Sequence, residues 1–168
     1  MKLVATTQSH YRELMSWFPD QRSCAFWASP EFPYPFTEAT FMQHVRPNLP
    51  SFSLIGDDRE LLGFGQYYLR VGRCHLARLV IAPHHRGQGL GAFLVRGLCR
   101  RGGRNLGVQE CSLFVLPDNV PALTLYRRLG FVEAAYPGEI PPYGVYMVAA
   151  RKEILSAAAQ HSPRRSPG

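Results

Sequence analysis

Arg86-Gly87-Gln88-Gly89-Leu90-Gly91 sets three glycines at alternate positions behind an arginine, with His84 and His85 just ahead. Glycine lets backbone N–H groups approach a ligand with no Cβ in the way. Such a run between a strand and a helix is a place where N–H groups and the helix start meet phosphate. A triphosphate loop would end in Gly-Lys-Ser/Thr, and Leu90-Gly91-Ala92 supplies neither the lysine nor the hydroxyl. A dinucleotide loop fits the pattern Gly87-x-Gly89-x-x-Ala92 but not its surroundings. Pro83 to Arg86 separate the glycines from the strand, and Glu110 begins the next strand where an acidic residue should end it. Some other phosphate-bearing ligand, or a plain tight turn, stays open.

The elements that must hold this loop follow from periodicity. Strands are expected over 2–6, 51–56, 61–72, 73–83, 110–116, 131–137 and 144–150, the second to fourth forming a meander. Helices are expected over 8–18, from Thr37 as N-cap to about Val45, from Leu90 until Gly102, Gly103 and Gly107 end it, and from Asp118 or Asn119 to Gly130. Residues 19–36 read as a proline-punctuated aromatic segment centred on Phe32-Pro33-Tyr34-Pro35-Phe36, either packed on the core or lining a pocket.

At 168 residues and 46% hydrophobic the chain fits one domain with a sizeable core. Its net charge of +7 suits nucleic acid, an acidic substrate or a polyanionic cofactor, although Arg164 and Arg165 lie in a tail rich in Ser and Pro. Nucleic acid is the least supported partner, because no recognition helix or base-stacking motif accompanies the charge. No apolar run suits a membrane span, and Met1 to Leu14 do not resemble a secretion signal, so a cytoplasmic location is expected. Cys24, Cys74, Cys99 and Cys111 are scattered, without zinc-ligand spacing, and read as reduced thiols.

Leu79 to Gly91 resembles the signature of the GNAT superfamily of acyl-CoA-dependent N-acyltransferases. Its core pattern, Gln/Arg-x-x-Gly-x-Gly/Ala, is met by Arg86, Gly89 and Gly91, and the likeness continues through Asn119, Ala122 to Tyr126, and Leu129-Gly130-Phe131. The resemblance implies an α/β (α+β type) fold: a mixed, mostly antiparallel twisted sheet of six or seven strands flanked by about four helices. It implies that the strands starting near 75 and 110 splay. One domain over 1–152 and a flexible tail over 153–168 would make up the chain.

The same resemblance implies acetyl-CoA as cosubstrate, with no metal, and an amine acceptor of unknown identity. Backbone of Arg86, Gly87, Gln88, Gly89, Leu90 and Gly91 would hold the pyrophosphate. Leu79, Val80 and Ile81 would expose backbone at a strand bulge, where pantetheine pairs like an extra strand. Asn119 caps its helix and would also position the pantetheine arm, with Ala122 counted beside it. Tyr126 would be the general acid for the leaving thiolate, or else a packed aromatic; a phenol with a pKa of ~10 stays protonated at neutral pH. His75 would be the base, or else an ordinary strand histidine; Glu110 and Glu133 are alternatives, and Ala77 cannot serve. Arg127 and Arg128 would reach the 3′-phosphate or lie on the surface, while Arg96, Arg100 and Arg104 read as a solvated helix face. No cysteine stands where a covalent intermediate would need it, which implies direct attack by the amine. A non-catalytic acyl-CoA-binding module is the alternative. Relatives commonly form homodimers.

Overall fold

Alternation along the β-rich centre decides where the helices go. Leu54 and Ile55, and likewise Leu61 and Leu62, send neighbouring side chains to opposite faces of one sheet, each into its own apolar cluster. The computed structural model describes residues 1–139 and 144–157. Strands β1 (Lys2–Ala5), β2 (Ser51–Ile55), β3 (Leu61–Arg70), β4 (Arg73–Ile81), β5 (Glu110–Val115), β6 (Val132–Glu133) and β7 (Val145–Ala150) form a sheet in the order β1-β2-β3-β4-β5-β7-β6. Every neighbouring pair is antiparallel except β4 with β5. The sheet is therefore mixed and mostly antiparallel, with seven strands.

The parallel pair is short: Cys74 faces Cys111 and His75 faces Ser112, and the two strands then part. The other edge of β4 is irregular at the same place. Its register with β3 slips between Phe64↔Val80 and Gln66↔Ala77, so Arg78 and Leu79 together face Gly65. Arg78 takes φ 52°, a left-handed conformation rare for a side-chain-bearing residue. Two residues against one is a bulge, which bends its strand and increases the twist. The splay expected near 75 and 110 is present, and this bulge accompanies it.

On one face α1 (Gln8–Met15), α2 (Gln21–Trp27) and α3 (Glu38–Val45) build an aromatic core in which Trp27 stacks on Phe18 and Phe41. On the other lie α4 (Leu90–Leu106), α5 (Val120–Arg128) and α6 (Arg151–Ala157), with Leu94, Leu98, Leu113 and Met147 almost wholly buried between helices and sheet. Full burial of one such side chain contributes roughly 1.5–3 kcal/mol.

Several expectations are corrected. Among the described residues there are six α-helices rather than about four. The proline-punctuated segment contains α2, whose start is fixed by Asp20 and Ser23 in a reciprocal capping box. Helix α4 runs through Gly102 and Gly103 and stops only at Gly107. A Cβ at Gly102 would stand 2.5 Å from Cys74 Sγ, so glycine there lets helix and sheet approach closely. Of the expected 131–137 strand, Val132 and Glu133 form the ladder with β7, and Ala134 N–H adds one bond to the Tyr146 carbonyl at 3.0 Å. The tail expected from 153 begins instead inside α6, where Ile154 is buried; residues 158–168 lie outside the described set. Among the described residues no helix is long and apolar enough to cross a membrane.

Candidate active site

Beyond β4 the chain makes one tight turn, Pro83–His85, and then reaches the glycines. Gly87 and Gly89 have φ of 78° and 77°, a region that costs an L-residue about 1–2 kcal/mol. Gly89 is the N-cap of α4 and brings no side chain to that end. Phe93 N–H donates to the Gly89 carbonyl at 3.3 Å. The N–H groups of Leu90, Gly91 and Ala92 ahead of it have no carbonyl of the helix to bond. Residues Arg86 to Gly89 are exposed. Arg86 folds back, its Nε donating to the Ile81 carbonyl at 3.3 Å. His85 turns away to Glu60, Nε2 to Oε2 3.3 Å. The loop is an open cradle of backbone donors at a positive helix end, suited to an anion.

Where β4 and β5 part, a cavity of about 350 Å³ opens. Ala77, Arg78 and Leu79 of β4 line it, with Leu113 to Leu116 on the β5 side and Asn119, Ala122 and Tyr126 of α5 below. Val80 and Ile81 continue β4, paired to Phe64 and Gly63 on one edge only. The opposite edge of β4, beyond His75, has lost its strand partner. A free strand edge can take an extended ligand as an added strand. Asn119 caps α5 by accepting from Ala122 N–H at 3.4 Å, and Asp118 does not.

Tyr126 is 9% exposed and its ring stands edge-on to Phe131. Its hydroxyl has no hydrogen-bond partner among the described residues. Burial pushes its pKa up to about 12, so the phenol stays protonated and able to donate.

His75 also lines the cavity and is 3% exposed. Its Nδ1 lies 2.9 Å from Ser112 Oγ, and its ring packs between Tyr68 and Phe114. Burial, and then the positive charge of Arg70, lower its pKa to about 3. Burial thus favours the uncharged ring over the near-neutral imidazole expected from the sequence, and makes it a weaker proton acceptor. The two alternative bases fare no better, since neither lines the cavity. Glu110 is bound to Arg73, Oε1 to Nε 3.4 Å, and Glu133 is exposed beside a separate groove.

The Phe32 to Phe36 segment packs in the core. Phe32 and Phe36 lie against Phe41, and the Tyr34 hydroxyl donates to the Phe18 carbonyl at 3.2 Å. The preceding residues, Ala25 to Glu31, line the cavity instead. So do Arg46, Tyr68, Arg70, Arg78 and Phe114, none of which sequence reasoning singled out. Trp27 Nε1 donates to the Arg78 carbonyl at 2.7 Å, tying α2 to the bulge. The Asp20 and Ser23 box is the one local signal that could have found α2.

All four cysteines are buried and free, and none lines the cavity. Burial raises the Cys24 thiol to about 11. The hydrogen bond between Cys74 and Cys111 raises Cys74, with burial adding to it, and lowers Cys111, which a bond with Cys99 and burial raise on balance. Arg100, Arg104, Arg127 and Arg128 are exposed, and Arg96 is half-buried.

A parallel strand pair that splays beside a bulge, next to a helix that begins on a glycine cradle, defines a class of fold rather than one protein. The chain belongs to that class by sequence too: residues 11–131 match the acetyltransferase (GNAT) family, of which it is a member. It is 37% identical over 89 residues to a mycothiol acetyltransferase of Clavibacter michiganensis subsp. michiganensis, covering 51% of this chain and 28% of that protein. It is 35% identical over 83 residues to the streptothricin acetyltransferase of Streptomyces lavendulae, covering 48% of this chain and 43% of that one. The chain thus spans less than half the length of either relative. Among solved structures, the spermidine N-acetyltransferase from Vibrio cholerae in complex with CoA and spermine aligns over 92% of this chain and 97% of its own, with TM-score 0.69 and 20% identity. An aminoglycoside acetyltransferase in complex with coenzyme A aligns over 92% and 96%, with TM-score 0.73 and 19% identity. At such identities the likeness is one of fold.

Proposed function

We propose that the protein is an N-acetyltransferase that moves the acetyl group of acetyl-CoA to a primary amine inside the β4–β5 cavity. The observation that carries this reading is the coincidence of a freed strand edge with a buried, unbonded phenol on the facing helix. When bound, acetyl-CoA supplies the acyl group in activated form, as a thioester. Backbone of Arg86 to Gly91 suits its pyrophosphate, and the edge of β4 at Leu79 to Ile81 suits its extended arm, with Asn119 and Ala122 on the far wall. The new bond joins the amine nitrogen to the acyl carbon, and the carbon–sulfur bond breaks. The amine gives up one proton and the departing thiolate needs one. Tyr126 is a protonated group on the cavity wall that gives the thiolate its proton and regains one from the proton the amine loses, a role worth roughly 10²–10⁴-fold in rate.

His75, held neutral, orients and walls the site rather than taking the amine proton. The acceptor then attacks from its uncharged fraction, so turnover rises with pH toward the pKa of the amine. Attack is direct, in keeping with cysteines that all lie off the cavity. Free thiols suit a reducing compartment, and on that ground we place the reaction in the cytoplasm.

The test is acetyl-CoA-dependent thiol release against a library of amines and peptides. Release with at least one amine, giving the matching N-acetyl product, is the expected result. CoA binding without turnover on any amine would contradict the enzyme and favour a binding module.

A further inference from the structure

The wall of the cavity away from α5 is unusually cationic. Arg46, Arg70 and Arg78 line it, against one carboxylate, Glu31, which is exposed. Two arginines off the cavity pair with acids, Arg12 with Glu38 at 3.0 Å and Arg73 with Glu110 at 3.4 Å. None of the three lining the cavity has a carboxylate partner among the described residues.

Their partners are neutral. Arg70 Nε donates to Tyr136 Oη at 2.9 Å and Nη1 to Tyr68 Oη at 3.0 Å, with the guanidinium 4.8 Å from the Phe114 ring centre. Arg78 Nη1 donates to Gln66 Oε1 at 2.9 Å, while its Nε is buried with no partner. Arg46 sits over the Tyr68 ring at 5.7 Å. Neutral acceptors fix the guanidinium planes but leave the charge uncompensated, and a buried guanidinium without a counter-charge carries a desolvation cost that a bound anion would offset. These arginines are not part of the phosphate cradle, because no residue from Arg86 to Gly91 lines this cavity.

Building on the transferase reading above, we propose that the acceptor is a small amine that also carries an oxyanion, a carboxylate or a phosphate, received by Arg46, Arg70 and Arg78. A guanidinium fork matches either group. A polyamine would bring two or more positive charges to a wall of like sign.

The test pairs turnover with binding. Thiol release is measured with phenylalanine, phenylalaninamide, O-phosphoethanolamine, ethanolamine and spermidine. In parallel, N-acetylphenylalanine, its amide and O-phosphoethanolamine are titrated by calorimetry into CoA-saturated protein. The anionic member of a pair should be favoured roughly ten- to a hundredfold, the phenylalanine pair reporting a carboxylate and the ethanolamine pair a phosphate. Arg78→Gln should remove most of that preference and Arg78→Lys restore part of it. Arg46→Gln, at an exposed position that leaves the fold intact, should reduce it several-fold. Equal treatment within both pairs, or spermidine as the best substrate, overturns the oxyanion proposal and leaves the transferase standing. Selective binding of the anionic probes without turnover of any amine supports the oxyanion site and removes the transferase.

Discussion

At one end of the candidate site the groups are backbone: the edge of β4 left unpaired beyond His75 and, past the cavity lining, the donors from Arg86 to Gly91. At the other end they are side chains, with Arg46 after α3, Arg70 on β3, Arg78 on β4, Phe114 on β5 and Phe26 on α2. A site made of backbone depends on conformation and tolerates changes of side chain. A site made of side chains depends on which elements the fold brings together. The first kind suits an invariant carrier, the second an acceptor that differs between relatives.

The largest effect is expected where the two ends meet. Tyr126→Phe should lower kcat by roughly a hundredfold or more while CoA affinity stays within about twofold. Unchanged turnover would show that the leaving group takes its proton elsewhere.

His75 marks the side-chain end, and its signature is in stability. Its pKa is held near 3 in the folded state against about 6.5 when unfolded. Between those values the unfolded chain binds a proton that the folded one does not. Lowering the pH therefore destabilises the fold, by up to about 1.4 kcal/mol per unit. Urea unfolding at pH 7 and pH 5 should lose roughly 2 kcal/mol from this residue, and His75→Gln should flatten the dependence. Equal slopes for both proteins would contradict the assignment. The pH dependence of kcat/KM should likewise show no limb near 6.5 from His75.

At the backbone end, Gly89→Ala should weaken CoA binding about tenfold, because alanine resists φ 77°. Arg86→Ala, which keeps the N–H, should cost about fivefold or less. The reverse ranking would show that side chains hold the phosphates after all. The smallest effect is at Asn119. Its alanine variant should lose about 1 kcal/mol of stability with the cap, and melt a few degrees lower.

The same contrast explains what could be read from the sequence. Backbone sites need particular residue types in a row, so the glycine loop stood out, as did Asn119 and Tyr126 through their spacing from it; the fold puts the loop at the start of α4 and the other two on the cavity wall. The seven strands followed from alternation, with β6 overestimated: Phe131 to Pro137 alternates like a strand, yet only two residues of this edge form the ladder with β7. Helix α2 hid between prolines because its turn-like composition outweighed the Asp20 and Ser23 cap. The arginine wall was illegible for a deeper reason. Residues 46, 70 and 78 share no local pattern and meet only because β3 and β4 pair and the chain leaves α3 through the left-handed Arg46. Burial, which no local pattern reports, also holds the His75 imidazole well below its ordinary pKa.

The claim beneath all of these is that the β4–β5 cleft and the glycine cradle hold the acyl carrier. Titrating CoA into the wild-type protein by calorimetry, with thermal unfolding measured alongside, tests it most directly. We expect saturable binding at one site, a higher melting temperature with CoA, and about tenfold weaker affinity in Gly89→Ala. A wild-type protein that gives no binding heat and gains no stability from CoA would contradict the claim.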